Sequence, residues 1–182
     1  MTHMIYVVPS LKAKEKLQCE GKAWAESQGF AYVPRGKRTI QDLMDEYGED
    51  FLVYSSRGPQ IDRPEGSHFF SLNMAELRIQ NLRKGQRDHL LEALMGVKEY
   101  DLRPAAAQPP ISVLDCTCGF GADAAVASFG LPAGSRVDAL EVSPLLEAVT
   151  AWGFSHFVHK KDDVTAALRR ISLRCGDYHD YL

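Results

Sequence analysis

The stretch that most restricts the fold is VLDCTCGFGADAAVASFG, Val113 to Gly130. An apolar run ends on an acid, Asp115. Two glycines follow, Gly119 and Gly121, and an alanine-rich helical segment then runs to Gly130. The preceding ISVLDCT has no period-two polarity, as expected of a parallel strand covered on both faces. After the helix, RVDALEVS reads as a second strand. Ser143 and Pro144 form an N-cap and first-position pair for a helix through Trp152. A polar helix near Asp163–Arg169 and the strand ISLRC complete β-α-β-α-β. That pattern is the start of a doubly wound, Rossmann-like sheet, so the fold class is α/β.

The first half alternates less regularly. MIYVVPS is a short apolar strand, and Ser10 can cap a helix running to about Gln28, with Gly29 as its stop. FAYVP is a second strand. Thr39 caps TIQDLMDEYG, where Ile40, Leu43, Met44 and Tyr47 share one face and Gly48 ends the helix. FLVYSS is a third strand, and RGPQIDRPEGS reads as a turn-rich connection. From Asn73, spaced from Glu76 as in a capping box, the pattern is helical to Met95, broken at Gly85 and closed by Gly96. LRPAAAQPP then reads as a linker, because its prolines cannot donate to a ladder. The expected organisation is an N-terminal α/β lobe over 1–72, a helical connector and linker over 73–110, and a partial cofactor-type domain over 111–182.

With 182 residues, 45% of them hydrophobic, the chain suits one domain with a smaller lobe. Its apolar runs fall far short of the roughly 20 residues a membrane helix needs. Cys19, Cys116, Cys118 and Cys175 follow no framework spacing, which leads us to expect reduced thiols and a cytoplasmic location. The net charge of −3 lacks the basic balance of a typical nucleic-acid binder, so any RNA contact must come from local clusters.

Ligands of such sheets bind beyond the carboxyl ends of the strands. Asp115 and Glu141 end successive strands, with Thr117, Gly119 and Gly121 in the loop between them. Asp115 can attract an ammonium group. Glu141 is placed to accept from a ribose diol, and Asp177, after the third strand, from an adenine amino group. The molecule carrying all three is S-adenosylmethionine. Two other readings stay open on the residues alone. A dinucleotide would use Gly119, Gly121 and Ala124 as G-x-G-x-x-A, but a carboxylate at the strand end repels its pyrophosphate. Alternatively, the glycines and acids serve only turns and caps.

VLDCTCGFGADAAVAS with VDALEVSPLLEAV resembles the class I methyltransferases. With YVPRGKRTIQDL and FFSLNMAELRIQNLRKGQRDHLLEALMG, the chain is similar from about Ile5 to Asp180 to the family of small-subunit rRNA guanine-N2 methyltransferases, in particular a Gram-positive branch of it. The resemblance implies a methyltransferase that transfers the methyl of S-adenosyl-L-methionine to a guanine amino group of ribosomal RNA. It implies cofactor contacts at Ala122 and Asp123, at Glu141 and Val142, and at Gly176 and Asp177. Family members often carry arginine at the position of Ala122. The family also continues into a fourth strand ending in Asp-Pro, which presents the target base, and no such dipeptide occurs here. The resemblance therefore implies a chain that stops short of the target-presenting half, and no catalytic residue is assigned. A non-catalytic cofactor- or RNA-binding module is the alternative.

Two basic clusters are the RNA-contact candidates: Arg35, Lys37 and Arg38, and then Arg78, Arg83, Lys84 and Arg87. A solvated or salt-bridged surface is the competing reading for both, and Arg78 and Arg87 could instead line the cofactor pocket, for example against its carboxylate. Phe69 and Phe70 could stack on a base or join the core. Cys116 and Cys118 are too close for a zinc knuckle, and His156 and His159 lack a third ligand, so no metal is expected. Trp24 and Trp152 read as core anchors. The third strand of the partial sheet is expected to expose an edge, through which the chain could form a homodimer.

Overall fold

A computed structural model of the chain describes residues 4–96 and 109–181, which divide into two units, Met1–Phe70 and Ser71–Leu182. The first contains β1 (Tyr6–Pro9), α1 (Glu15–Ser27), β2 (Ala31–Tyr32), α2 (Ile40–Tyr47), β3 (Phe51–Ser55), β4 (Gly58–Arg63) and β5 (Gly66–Phe69). Its sheet runs β2-β1-β3-β4-β5. β1 is parallel to β2 and β3, while β4 is antiparallel to its neighbours β3 and β5.

Strand periodicity sends neighbouring side chains to opposite faces. Val8, Phe51 and Val53 meet Leu43 of α2, with Ile40, Met44 and Tyr47 packed around them. Val7 and Tyr54 meet Ala25 of α1, with Trp24 beside them. Trp24 is thus the core anchor expected of it. Thr39 forms a full capping box with Asp42, as its spacing predicts.

Two readings of this unit are corrected. RGPQIDRPEGS is not a loop but most of two strands, β4 and β5, joined by the two-residue turn at Pro64 and Glu65. The apolar alternation is missing because β4 buries polar side chains. Gln60 donates to Asp62 at 2.7 Å and Ser55 to Gln60 at 2.9 Å, so these groups are satisfied within the sheet. Nor does Ser10 cap α1. The helix starts at Glu15, and Lys14 at its N-cap offers no side-chain bond.

The second unit holds α3 (Asn73–Arg83), α4 (His89–Met95), β6 (Ser112–Asp115), α5 (Ala122–Gly130), β7 (Arg136–Glu141), α6 (Pro144–His156), α7 (Asp162–Arg169) and β8 (Ile171–Cys175). The parallel sheet runs β6-β7-β8, in register at Asp115↔Ala139 and Glu141↔Cys175. The helices placed in the expected connector belong to this unit: α3 and α4 both pack on α5. The expected linker lies mostly outside the described residues. Asn73 is not the N-cap of α3 but its first residue, with φ 21°, and Leu72 precedes it without a side-chain cap. Helix α6 continues four residues past Trp152, so His156 ends a helix rather than sitting in a loop, and it stacks on Trp152 at 4.9 Å.

Burial also departs from expectation at β6. Ser112 is exposed and Val113, Leu114 and Asp115 are only half-buried, because β6 lies at one edge of the described sheet. β8 lies at the other edge, and β7 alone is flanked on both sides. Among the described residues no helix is long and apolar enough to cross a membrane.

Candidate cofactor site

The carboxyl ends of β6, β7 and β8 are tied together by backbone bonds, one from the glycine loop and one from the residue after β8. The Cys118 amide donates to Leu140 O at 2.9 Å, and the Gly176 amide to Glu141 O at 3.0 Å. Gly121 then takes φ 76° at the N-cap of α5. A β-carbon there would stand 2.2 Å from Phe154 Cζ, so the loop closes on α6 only because position 121 has no side chain.

Glu141 is buried at the end of β7, only 8% exposed. Its two carboxylate oxygens each accept one backbone amide: Oε2 from Gly119 at 2.9 Å, Oε1 from Ser143 at 2.9 Å. Glu141 therefore clamps the loop after β6 to the loop after β7. Each oxygen has a second acceptor position, so the clamp leaves capacity for a diol. Thr150, wholly buried on α6, donates its hydroxyl to Gly119 O at 2.8 Å and fixes the other end of the same residue. Thr150 is not among the site residues expected from the sequence. Its only signal is a hydroxyl in the otherwise apolar run of α6.

Asp115 is the second acid at the strand tips. Its Oδ1 accepts from the Thr117 amide at 3.0 Å, and no described residue bonds its other oxygen. Burial raises its pKa, the Thr117 bond opposes that, and the nearby charges of Asp123 and Glu141 raise it further. Three acids thus face the same hollow, and Arg78 offsets only Asp123. Cys118 reports the same field: burial first, then Asp115, Glu141 and Glu147, push its thiol up to about 12. Glu147, in the first turn of α6, is held up by burial, a further acid the sequence reading did not single out. Beside the tip of β6 a cavity of about 240 Å³ is lined by Asp115, Cys116, Asp123, Leu90 and Leu94.

Of the remaining candidates, Ala122 and Asp123 open α5, with Asp123 ion-paired to Arg78. Val142 is 67% exposed directly beyond Glu141. Asp177 accepts from the His179 amide at 2.9 Å, capping a short turn, so part of its capacity is already used. The four thiols form no disulfide, and the described residues contain no cluster of three metal-ligating side chains.

The arginines of the two basic clusters are engaged within the protein. Arg35 is buried and donates to Arg38 O at 3.0 Å, while Arg38 pairs with Glu46. Arg78 forks onto Asp88 at 2.7 and 2.9 Å. Arg83 pairs with Asp163, and Arg87 with Glu92. Lys37 and Lys84 remain at the surface. Phe70 joins the core, and Phe69 lies under the Arg57 guanidinium at 3.8 Å.

No family model matches the chain. It is 25% identical over 177 residues to the uncharacterized protein YpiP of Bacillus subtilis (strain 168), covering 97% of this chain and 65% of YpiP. Among solved structures it is similar to the SAM-dependent methyltransferase NGO1261 from Neisseria gonorrhoeae. That match has a TM-score of 0.58 and 14% identity, over 96% of this chain and 61% of the other. The chain thus spans just under two thirds of the length of each. Sheet order, parallel register and this match together place it in the mixed α/β class, with a Rossmann-like fold shared with NGO1261, and the candidate site lies at the strand tips.

Proposed function

We propose that the chain is the cofactor-binding part of an S-adenosylmethionine-dependent methyltransferase. The observation that carries the reading is the Glu141 clamp, which brings the glycine loop and the second acid, Asp115, to adjacent strand tips. Asp115 has the free oxygen and the negative surroundings that suit an ammonium group. Glu141 retains acceptor positions for a ribose diol, and exposed Val142 with Gly176 and Asp177 would flank an adenine. Bound there, the sulfonium of the cofactor supplies an electrophilic methyl group. The fold of NGO1261, itself a SAM-dependent methyltransferase, supports the reading. A guanine amino group of ribosomal RNA is the target we propose, on the sequence resemblance alone. The paired arginines leave Lys37 and Lys84 as the cluster cations available to RNA.

Titration calorimetry of the 182-residue chain with S-adenosylmethionine, and separately with NAD, tests the cofactor. Asp115→Asn is the cleaner variant, because asparagine keeps the bond from Thr117, whereas Glu141→Ala would also undo the loop clamp. Losing one charged acceptor should weaken binding by about 1.5–3 kcal/mol. The pH dependence has a definite sign. Because the Asp115 pKa is raised, its charge is lost as pH falls through a range above that of an ordinary aspartate, and affinity should fall with it. Asp115→Asn should lack that step. Binding of NAD in place of S-adenosylmethionine would sink the proposal.

A further inference from the structure

The first unit carries a crevice of its own. In its sheet, β2 lies on one side of β1 and β3 on the other, so the chain leaves β1 to one side through α1 and returns from β2 to the other side through α2. The gap beyond the carboxyl ends of β1 and β3 is therefore a topological switch point, the place where open α/β sheets bind ligands. A cavity of about 540 Å³ opens there. Its lining comes from the loop after β1, the first turn of α1 and the end of β3: Ser10, Lys12, Lys14, Lys16, Ser55 and Ser56. Glu20 is the one acid on its wall.

The lysines here differ from the arginines of the two basic clusters that pair with carboxylates. Arg38, Arg78, Arg83, Arg87 and Arg136 are each neutralised by a carboxylate. Lys12 and Lys14 have no carboxylate partner among the described residues. Lys16 only approaches Glu20, at 3.9 Å, and both side chains are largely solvent-exposed, so the pair is weak. Uncompensated ammonium groups and serine hydroxyls thus converge on one concave space. Helix α1, like α3, α5 and α7, begins without a side-chain cap, so no side chain occupies the first amides next to the crevice. The Ser10 amide is bonded to Tyr54 O at 2.8 Å, which anchors the loop to β3.

We propose that this crevice binds a phosphate group. Lysines act as point charges toward phosphate, the hydroxyls of Ser10 and Ser56 can donate to its remaining oxygens while that of Ser55 is held by Gln60, and the volume is that of a nucleotide-sized site. A mononucleotide and the backbone of an RNA carry the same chemistry. The site is independent of the methyl-donor reading, since it uses no residue of the second unit.

The test is an amide-shift titration of the full chain with inorganic pyrophosphate, beside fluorescence anisotropy with a labelled single-stranded RNA. Pyrophosphate should shift the amides of Ser10, Lys12, Lys16 and Ser56. The double variant Lys12→Glu, Lys14→Glu should weaken its binding about tenfold or more, and Lys22→Glu, on α1 but outside the crevice, should not. All three positions are exposed, so folding is not at risk. If RNA binding falls in the same double variant and pyrophosphate competes with it, the phosphate belongs to RNA; if RNA binding is unchanged while pyrophosphate still titrates, it belongs to a small molecule. Absence of shifts at these amides, or an equal loss with Lys22→Glu, overturns the proposal.

Discussion

Single residues decide whether the strand tips can meet. Gly119 and Gly121 both take left-handed φ, 56° and 76°, yet their surroundings differ. A β-carbon at position 119 meets nothing within 4 Å, while at 121 it would collide with Phe154. Gly119→Ala should cost about 1 kcal/mol of backbone strain, whereas Gly121→Ala adds overpacking of about 1–3 kcal/mol. Urea unfolding of both variants checks the order; equal losses would mean that Phe154 swings clear. The glycines, Asp115 and Glu141 were legible in the sequence because strand, glycine loop and acid recur at fixed offsets. That both Glu141 oxygens hold backbone amides was not, since Gly119 lies 22 residues away and only the sheet brings it near.

At the level of elements, Asp88 joins α3, α4 and α5. It caps α4 through the amides of Leu90 and Leu91 and holds Arg78, which reaches on to Asp123. Asp88→Ala removes a cap worth about 1 kcal/mol and leaves a partly buried guanidinium one partner short, for a total loss of about 2–4 kcal/mol. The Arg78 bond, foremost among several causes, holds the Asp88 pKa below the usual aspartate range. Its stabilisation is therefore complete at neutral pH and is lost as pH falls through that lowered value. Acid unfolding that is unchanged in Asp88→Ala would refute this. Sequence periodicity found α2, α5 and α6 because each presents a cap or a glycine with an apolar face. It missed β4 because that strand buries polar Gln60 and Asp62, which are satisfied by a bond along the strand and by Ser55 of β3, and the second of these needs the neighbouring strand.

For the whole molecule, the described sheet of the second unit has two open edges, β6 and β8. Unpaired edges template pairing with another chain, so we expect the 182-residue protein to self-associate as concentration rises. Light scattering that gives a constant monomer mass across that range would refute it. The sequence by itself determined the α/β class, the order of the second unit's strands along the chain and the acids at their tips, since periodicity, caps and glycines are local properties of the chain. Only the tertiary structure decided which arginines are neutralised, that α3 and α4 pack on α5 rather than forming a separate connector, and that lysines around α1 face a shared hollow. Those outcomes depend on which distant groups become neighbours, and the energy of a charge or a buried amide is set by its neighbours rather than by its place in the chain.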